Sequence, residues 1–159
     1  HERLGFQMWM VTRTDGVDAV VLQSFDHGYG MGSGDEFRWS DSYCARMVTG
    51  HAPRVAPAIR NVPAYADAPI TQQMEIGAYM GVPLTCSDGT LFGTLCAMDP
   101  DAQSDDLLRE LPSLELAARL LSTVLDAELK AADAERRAER AENATTVDPL
   151  TNLVNRKGW

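Results

Sequence analysis

The sequence has few cysteines, little positive charge and no long apolar run. Its three cysteines, Cys44, Cys86 and Cys96, have no Cys-x-x-Cys spacing, which favours reduced thiols in the cytoplasm over a disulfide framework. The formal net charge of −9 argues against a nucleic-acid partner, because nucleic-acid phosphates would be repelled. No stretch approaches the roughly 20 apolar residues of a membrane helix, and we expect no signal peptide in this sequence. We therefore predict a cytoplasmic protein, with no membrane segment in this part of it.

The composition is that of a folded domain. Of 159 residues, 45% are hydrophobic and 23% are charged, which suits one domain of ordinary size plus an appendage. The chain begins at His1 rather than at a methionine, so we expect both ends to be boundaries within a longer protein. The three histidines are scattered, and neither they nor the cysteines have the spacing of a zinc site. We predict no metal site and no catalytic residues in this chain.

The N-terminal part predicts a β-hairpin followed by a loop. Residues 5–12 and 18–25 are apolar with aromatic and β-branched side chains, and the turn-forming pair Asp15-Gly16 lies between them. The glycine-rich segment 27–34 comes next. Asp35-Glu36 follow it, where a phosphate-binding loop would need a helix start and a basic residue. We interpret this segment as a flexible loop.

A second hairpin is predicted further along the chain. Residues 78–86 and 90–98 are apolar and are joined at Asp88-Gly89, again a favoured turn pair. With a two-residue turn, Leu84 would lie opposite Gly93. Glycines in such strands leave the sheet surface open to close approach by another group.

Short elements are expected between the two hairpins. Ser40-Asp41-Ser42 offers helix N-cap candidates for a short helix that begins at Tyr43. The proline-rich stretch 51–69 predicts extended or irregular chain with one short edge strand near Val55. Pro69 favours the first turn of a second short helix that runs to Glu75.

The second hairpin carries a family resemblance. The segments Gly81-Val82-Pro83-Leu84, Ser87-Asp88-Gly89 and Phe92-Gly93-Thr94-Leu95-Cys96-Ala97 resemble the central hairpin of GAF domains. The resemblance covers roughly residues 5–126, and we assign residues 1–126 to a GAF-like sensor domain. It implies an α+β fold with an antiparallel sheet flanked by helices, a dimer, and a pocket between the sheet and its covering loops.

A long helix with two apolar stripes is predicted over residues 104–147. The first stripe stops where the domain should end, so it is expected to pack on the domain's own sheet; it consists of Leu107, Leu111, Leu114, Ala118, Leu121 and Leu125. The second runs three turns further and predicts the seam of a parallel homodimeric coiled coil; it consists of Ala117, Leu120, Val124, Ala127, Ala131, Ala134, Ala138 and Ala141. The alternative is a solvated single helix held by the pairs Asp126–Lys130 and Asp133–Arg137.

The last residues resemble the start of another domain. Residues 148–159 contain the pattern Asp-x-Leu-Thr-x-Leu-x-Asn-Arg, which is similar to the N-terminal signature of GGDEF domains. This resemblance implies a bacterial c-di-GMP signalling protein, and a full-length protein that is a diguanylate cyclase. The cyclase active site would lie beyond Trp159, so the present chain is expected to be regulatory and not catalytic.

The sequence does not identify the stimulus that such a sensor would detect. Six residues are candidates to line a pocket for an unidentified small molecule, although ordinary core packing also explains their apolar character: Trp39, Tyr43, Cys44, Met47, Tyr65 and Tyr79. Cys44, near a helix N-terminus, is also a candidate redox-active thiol. The motif of cyclic-nucleotide GAF domains is missing, and Ala45 stands where many bilin-attaching GAF domains have a histidine. No cofactor is identified. The alternatives are a GAF-type free methionine sulfoxide reductase or another thiol-based redox enzyme, and a dimerisation module without a ligand.

Overall fold

The computed structural model describes residues 5–146, with side chains as far as residue 142. Within it the chain divides into two compact units, one up to Ser122 and one from Thr123 onward. The first unit contains a sheet and its covering segments. The second is the continuation of the last helix.

Six strands form one antiparallel sheet in the order β3-β2-β1-β6-β5-β4. They are β1 (Met8–Thr14), β2 (Asp18–Asp26), β3 (Glu36–Arg38), β4 (Val55–Ala56), β5 (Ala78–Thr85) and β6 (Leu91–Asp99). The two predicted hairpins are β1–β2 and β5–β6, and they join at the centre of the sheet because β1 pairs with β6. The predicted short edge strand is β4.

The first hairpin closes as its sequence predicts. The Asp15 carboxylate accepts hydrogen bonds from the amides of Val17 and Asp18, at 2.8 and 2.9 Å. Gly16 has a φ of 94°, in the left-handed region that glycine tolerates best. Side chains of β1 then alternate between the two faces of the sheet, and Met8, Met10 and Thr12 are buried on one of them.

The second hairpin differs from the prediction in its turn. The amide of Cys86 bonds to the carbonyl of Thr90 at 2.9 Å, so the loop has three residues rather than two. The third of them, Gly89, has a φ of 85°. A register shift after Leu84 absorbs the extra residue, and Leu84 still pairs with Gly93, as predicted.

At two glycines in this hairpin, other groups occupy the space that a side chain would need. A Cβ on Gly93 would lie 1.8 Å from the backbone oxygen of Thr12, because β1 and β6 approach closely there. A Cβ on Gly81 would lie 2.1 Å from the hydroxyl of Tyr79 and 3.2 Å from the Cβ of Cys96. The predicted close approach is therefore present at both positions.

Short helical segments cover one face of the sheet. Helix α1 (Tyr43–Val48) begins at Ser42, whose hydroxyl accepts a hydrogen bond from the amide of Ala45 at 3.2 Å. Helix α2 (Pro63–Ala66) follows in the proline-rich stretch, where extended or irregular chain was expected. The predicted second helix from Pro69 to Glu75 is instead a 3₁₀ turn at Pro69–Gln72.

The last helix, α3 (Leu111–Thr146), follows a 3₁₀ turn at Asp105–Glu110. Pro112 is its second residue, a position where the missing amide hydrogen breaks no helical bond. Three members of the leucine stripe, Leu107, Leu114 and Ala118, are buried in the first unit, as predicted. Among residues 5–146, no helix combines the length and the apolar character needed to cross a bilayer. The sheet, its flanking helices and the long C-terminal helix confirm the predicted α+β fold.

Candidate functional site

Three tyrosines form the centre of the covered face. Tyr43 comes from α1, Tyr65 from α2 and Tyr79 from β5, and all three are buried. Their ring centroids lie 4.6 to 5.4 Å apart at tilted to edge-on angles, the arrangement that aromatic quadrupoles favour. The Tyr43 hydroxyl hydrogen-bonds with Thr71 at 2.9 Å, and the Tyr65 hydroxyl donates to the carbonyl of Pro53. The cluster fixes α1 and α2 over the sheet.

Two thiols lie against this cluster. The Sγ atoms of Cys44, in α1, and Cys96, in β6, are 3.6 Å apart, and both residues are almost completely buried. The Tyr79 hydroxyl donates a hydrogen bond to the Cys44 sulfur at 3.5 Å. Beside them, the buried hydroxyls of Thr12 and Thr94 hydrogen-bond to each other at 2.8 Å. The thiols therefore lie in a small polar network inside an apolar core.

This network distinguishes the two thiols electrostatically. A hydrogen bond from Cys96 lowers the pKa of Cys44; burial opposes it, and hydrogen bonds from Thr94 and Tyr79 reinforce it. The same thiol–thiol hydrogen bond, together with burial, raises the pKa of Cys96. Burial also raises the pKa of Tyr79 well above its ordinary value, so its hydroxyl stays protonated and able to donate. Cys44 is thus the thiol that ionises first.

A cavity of about 230 Å³ opens onto Cys44. It lies between the sheet and the segments that cover it, where the GAF resemblance implies a pocket. Its lining is mostly apolar, with a few polar groups; it consists of Met10, Met31, Glu36, Phe37, Ser42, Tyr43, Cys44, Ile70, Gln73, Met74, Tyr79 and Met98. Such a surface suits a small, largely apolar molecule held in orientation by a few hydrogen bonds.

One wall of this cavity depends on an aspartate. The Asp26 carboxylate accepts hydrogen bonds from four consecutive backbone amides, of residues 28–31. Burial raises the pKa of Asp26, but these hydrogen bonds outweigh it and the net pKa is lowered. The side chain of Asp26 therefore occupies the amide-lined concavity that a bound anion would fill in a phosphate-binding loop. It also sets the path of the predicted loop, which brings Met31 to the cavity.

The structure divides the six predicted pocket residues into two groups. Tyr43, Cys44 and Tyr79 line the cavity. Trp39, Met47 and Tyr65 do not; they belong to the surrounding core. Sequence reasoning missed the methionines that make up much of the lining. Met10 and Met98 could have been predicted, because they lie on the covered face of the neighbouring central strands β1 and β6. Met31 and Met74 come from irregular segments, where no pattern in the sequence indicates which side chains face the cavity.

The predicted seam residues lie along the exposed surface of α3. The large ones, Leu120 and Val124, are 63% and 54% exposed, and the alanines of the seam are exposed as well. The alternative ion pairs are partly present. Asp126 pairs with Lys130 at 2.7 Å, whereas Asp133 pairs with Arg136 rather than with Arg137.

Two other predictions concern a metal site and the C-terminal segment. Within residues 5–146, no group of three or more His, Cys, Asp or Glu side chains is arranged to hold a metal ion. The segment 148–159, which carries the GGDEF resemblance, lies outside the described residues.

Comparisons with known proteins agree with the fold. A family model described as "GAF domain" matches residues 1–125. A comparison with curated proteins gives no significant match. The resemblance inferred from the second hairpin is confirmed by the family model.

Similar solved structures have low sequence identity to the chain. A Burkholderia vietnamiensis protein assigned as a GAF sensor is 18% identical with a TM-score of 0.52, over 72% of this chain and 66% of that one. The chromophore-binding domain of the bacteriophytochrome RpBphP3 from R. palustris is 16% identical with a TM-score of 0.56, over 85% and 52%. The blue-light absorbing form of the Thermosynechococcus elongatus PixJ GAF-domain is 15% identical with a TM-score of 0.64, over 87% and 85%. The chain thus spans less than two thirds of the length of the Burkholderia vietnamiensis protein and of the R. palustris domain, at 66% and 52%.

Proposed function

The chain belongs to the GAF domain family, and we propose that it is the regulatory sensor domain of a c-di-GMP signalling protein. In this proposal the cavity under α1 binds a small molecule, and α3 passes the bound state to a downstream GGDEF domain as part of a homodimer. The observation that carries the sensor role is the cavity itself. It lies on the covered face of a GAF sheet and is bounded by groups from both layers.

The size and lining of the cavity narrow the ligand. Ligand pockets usually enclose about 300 to 1,000 Å³, and this one is smaller, at about 230 Å³. We therefore expect a compact molecule, with an apolar body against the methionines and a polar end at Gln73 or Glu36. A chromophore as in the relative from R. palustris is disfavoured, because Cys44 is buried against Cys96 and is followed by Ala45.

Binding is tested by mass spectrometry under non-denaturing conditions on the purified chain. We expect a bound mass that is lost on denaturation, and that is also lost when Met74→Trp fills the cavity. Leu22→Trp adds the same side chain at an exposed site in β2 and should leave the bound mass in place. If neither the purified chain nor the chain incubated with a library of small molecules shows a cavity-dependent ligand, the domain is a dimerisation module without a ligand.

The output is tested in the longer protein that continues past Trp159. That protein should convert GTP into c-di-GMP, and Met74→Trp should alter its rate, whereas Leu22→Trp should not. The present chain alone should produce none. A full-length protein without cyclase activity in either state would contradict the c-di-GMP assignment while leaving ligand binding intact.

A second candidate has one observation in its favour. Cys44 lines the cavity and has another thiol within 3.6 Å, as a free methionine sulfoxide reductase would require. Incubation with free methionine sulfoxide and a thiol reductant separates the two functions. A sensor should give no turnover, whereas the enzyme would release methionine and lose activity in Cys44→Ala.

A further inference from the structure

We infer that Cys44 and Cys96 are a peroxide-responsive pair that closes to a reversible disulfide when a hydroperoxide enters the cavity. The two sulfurs are 3.6 Å apart and are in direct contact in the reduced state. They come from different layers, Cys44 from α1 and Cys96 from a central strand. Cys86 takes no part in this pair; it closes the loop of the second hairpin, where its amide bonds to the carbonyl of Thr90.

The geometry allows the bond with a small movement. A disulfide has an S–S distance of about 2.05 Å, so the sulfurs must approach by roughly 1.5 Å. Cys44 lies in α1, which has only six residues, so the closing movement involves one short element. Gly81 lies beside Cys96 in the neighbouring strand and contributes no side chain there. The Tyr79 hydroxyl occupies that position, 2.1 Å from where a Cβ on Gly81 would lie, so the approach of the two sulfurs falls to Cys44.

The cavity and the network assign separate roles to the two thiols. Cys44 borders the cavity and is the one that a small oxidant reaches. Its thiolate form is stabilised by hydrogen bonds from Cys96, Thr94 and Tyr79. Cys96 lies behind it, protonated, in the position of a resolving thiol.

The reaction balances with a hydroperoxide as the only oxidant. The Cys44 thiolate attacks the peroxide, the O–O bond breaks, and the leaving oxygen takes up a proton as water or an alcohol. The resulting sulfenic acid is attacked by the Cys96 sulfur. The S–S bond forms, the S–O bond breaks, and the hydroxide leaves as water with the proton from Cys96. Two thiols and one hydroperoxide give a disulfide, one alcohol or water, and one water. A dithiol reductant reverses the change by exchange.

The disulfide would draw α1 toward β6 along one wall of the cavity. Redox state and ligand affinity would then be coupled, and only this coupling rests on the proposed function. The disulfide itself requires no ligand, so its test is independent of ligand binding.

The test uses the chain with Cys86→Ser. No lysine or arginine lies between Cys86 and Cys96, so trypsin leaves both in one peptide and the substitution removes the ambiguity. The folded protein is treated with hydrogen peroxide, its free thiols are alkylated in denaturant, and it is digested. We expect residues 39–46 to be linked to residues 61–109, with a mass two hydrogens below the sum of the separate peptides. Dithiothreitol before alkylation should abolish the link.

A matched variant identifies the attacking thiol. In Cys86→Ser/Cys96→Ala, the sulfenic acid on Cys44 has no partner and should be trapped by dimedone. In Cys86→Ser/Cys44→Ala, Cys96 should remain reduced. The inference is overturned if peroxide leaves both thiols of folded Cys86→Ser fully alkylated, or oxidises Cys44 to sulfinic acid without any link. Should a double variant fail to fold, the link in Cys86→Ser decides alone, since that protein keeps both buried thiols.

Discussion

The covered face of the sheet and the far part of α3 are both patterned with apolar side chains, but only the first is explained by contacts within the chain. Tyr43, Tyr65 and Tyr79 are buried and hydrogen-bonded within their own domain. On α3, seam residues such as Val124 and Ala131 are exposed, and the Asp133–Arg136 ion pair is exposed too. Contacts within the domain account for the apolar side chains of the first region. A second surface that covers the apolar stripe of the second region would explain it.

The largest loss of stability is expected at Gly93, in the closely packed sheet. In Gly93→Ala the new Cβ would meet the Thr12 carbonyl oxygen at 1.8 Å, a contact with backbone that no rotamer change relieves. Because β1 and β6 are the central strands, we expect a loss of more than about 4 kcal/mol in the free energy of unfolding, a large fraction of the roughly 5 to 15 kcal/mol typical of a domain. Circular dichroism and urea titration measure this.

Gly32→Ala is the matched control, since no atom lies within 4 Å of its added Cβ. It should change stability by no more than about 0.5 kcal/mol. Equal unfolding midpoints for the two variants would contradict the close packing of β1 on β6.

The second prediction concerns the seam. The wild-type chain should scatter light as a dimer of 17.4 kDa subunits at micromolar concentration. Ala131→Glu/Ala138→Glu should give a monomer, because charges would be buried in the seam, with no change in the melting temperature of the sheet domain. Ala131→Leu/Ala138→Leu should tighten the dimer by up to about 2 kcal/mol for each added side chain.

Ala132→Glu provides a control one position off the seam, and it should leave the dimer intact. A wild-type monomer would contradict the seam, and the solvated single helix would then be the better description. A dimer that survives both glutamates would place the interface elsewhere.

A smaller effect is expected at Asp26, on the loop that walls the cavity. Asp26→Asn removes the charge that four amides share, and at pH 7 it should destabilise the fold by on the order of 1 kcal/mol. The pKa of Asp26 is lowered in the folded state. Its stabilising contribution is therefore present above the ordinary aspartate pKa of about 4 and is lost as pH falls through the folded value.

The melting temperature of the wild type should accordingly converge with that of Asp26→Asn as the solution is acidified below about pH 4. Asp101→Asn changes an exposed aspartate and should track the wild type throughout. A constant difference between wild type and Asp26→Asn from pH 7 to acid would show that the carboxylate charge contributes nothing.

The sequence predicted what local patterns determine. Asp-Gly pairs located both hairpins, and Ser42 located the start of α1, because turn and cap preferences act within a few residues. The contact of Cys44 with Cys96 was not predictable, since it depends on how α1 lies over a strand 52 residues away. The methionines that line the cavity were not predicted from the sequence for the same reason. The four methionines come from four separate segments, and no short spacing brings them together.

The smallest effect is expected for Arg136→Ala, and it separates the two descriptions of α3. The Asp133–Arg136 pair is about half exposed on both sides, and pairs of this kind contribute about 0 to 1 kcal/mol. If the seam holds the helix, dimer affinity and helical content should stay unchanged within error, because the alanine contacts remain. If α3 is a single solvated helix, its ion pairs are among its few stabilising contacts beyond the backbone, and helical content should fall on removing one and fall again in high salt. Circular dichroism at low and high salt distinguishes these outcomes, so a substitution of negligible energy tests whether the far part of α3 depends on a partner.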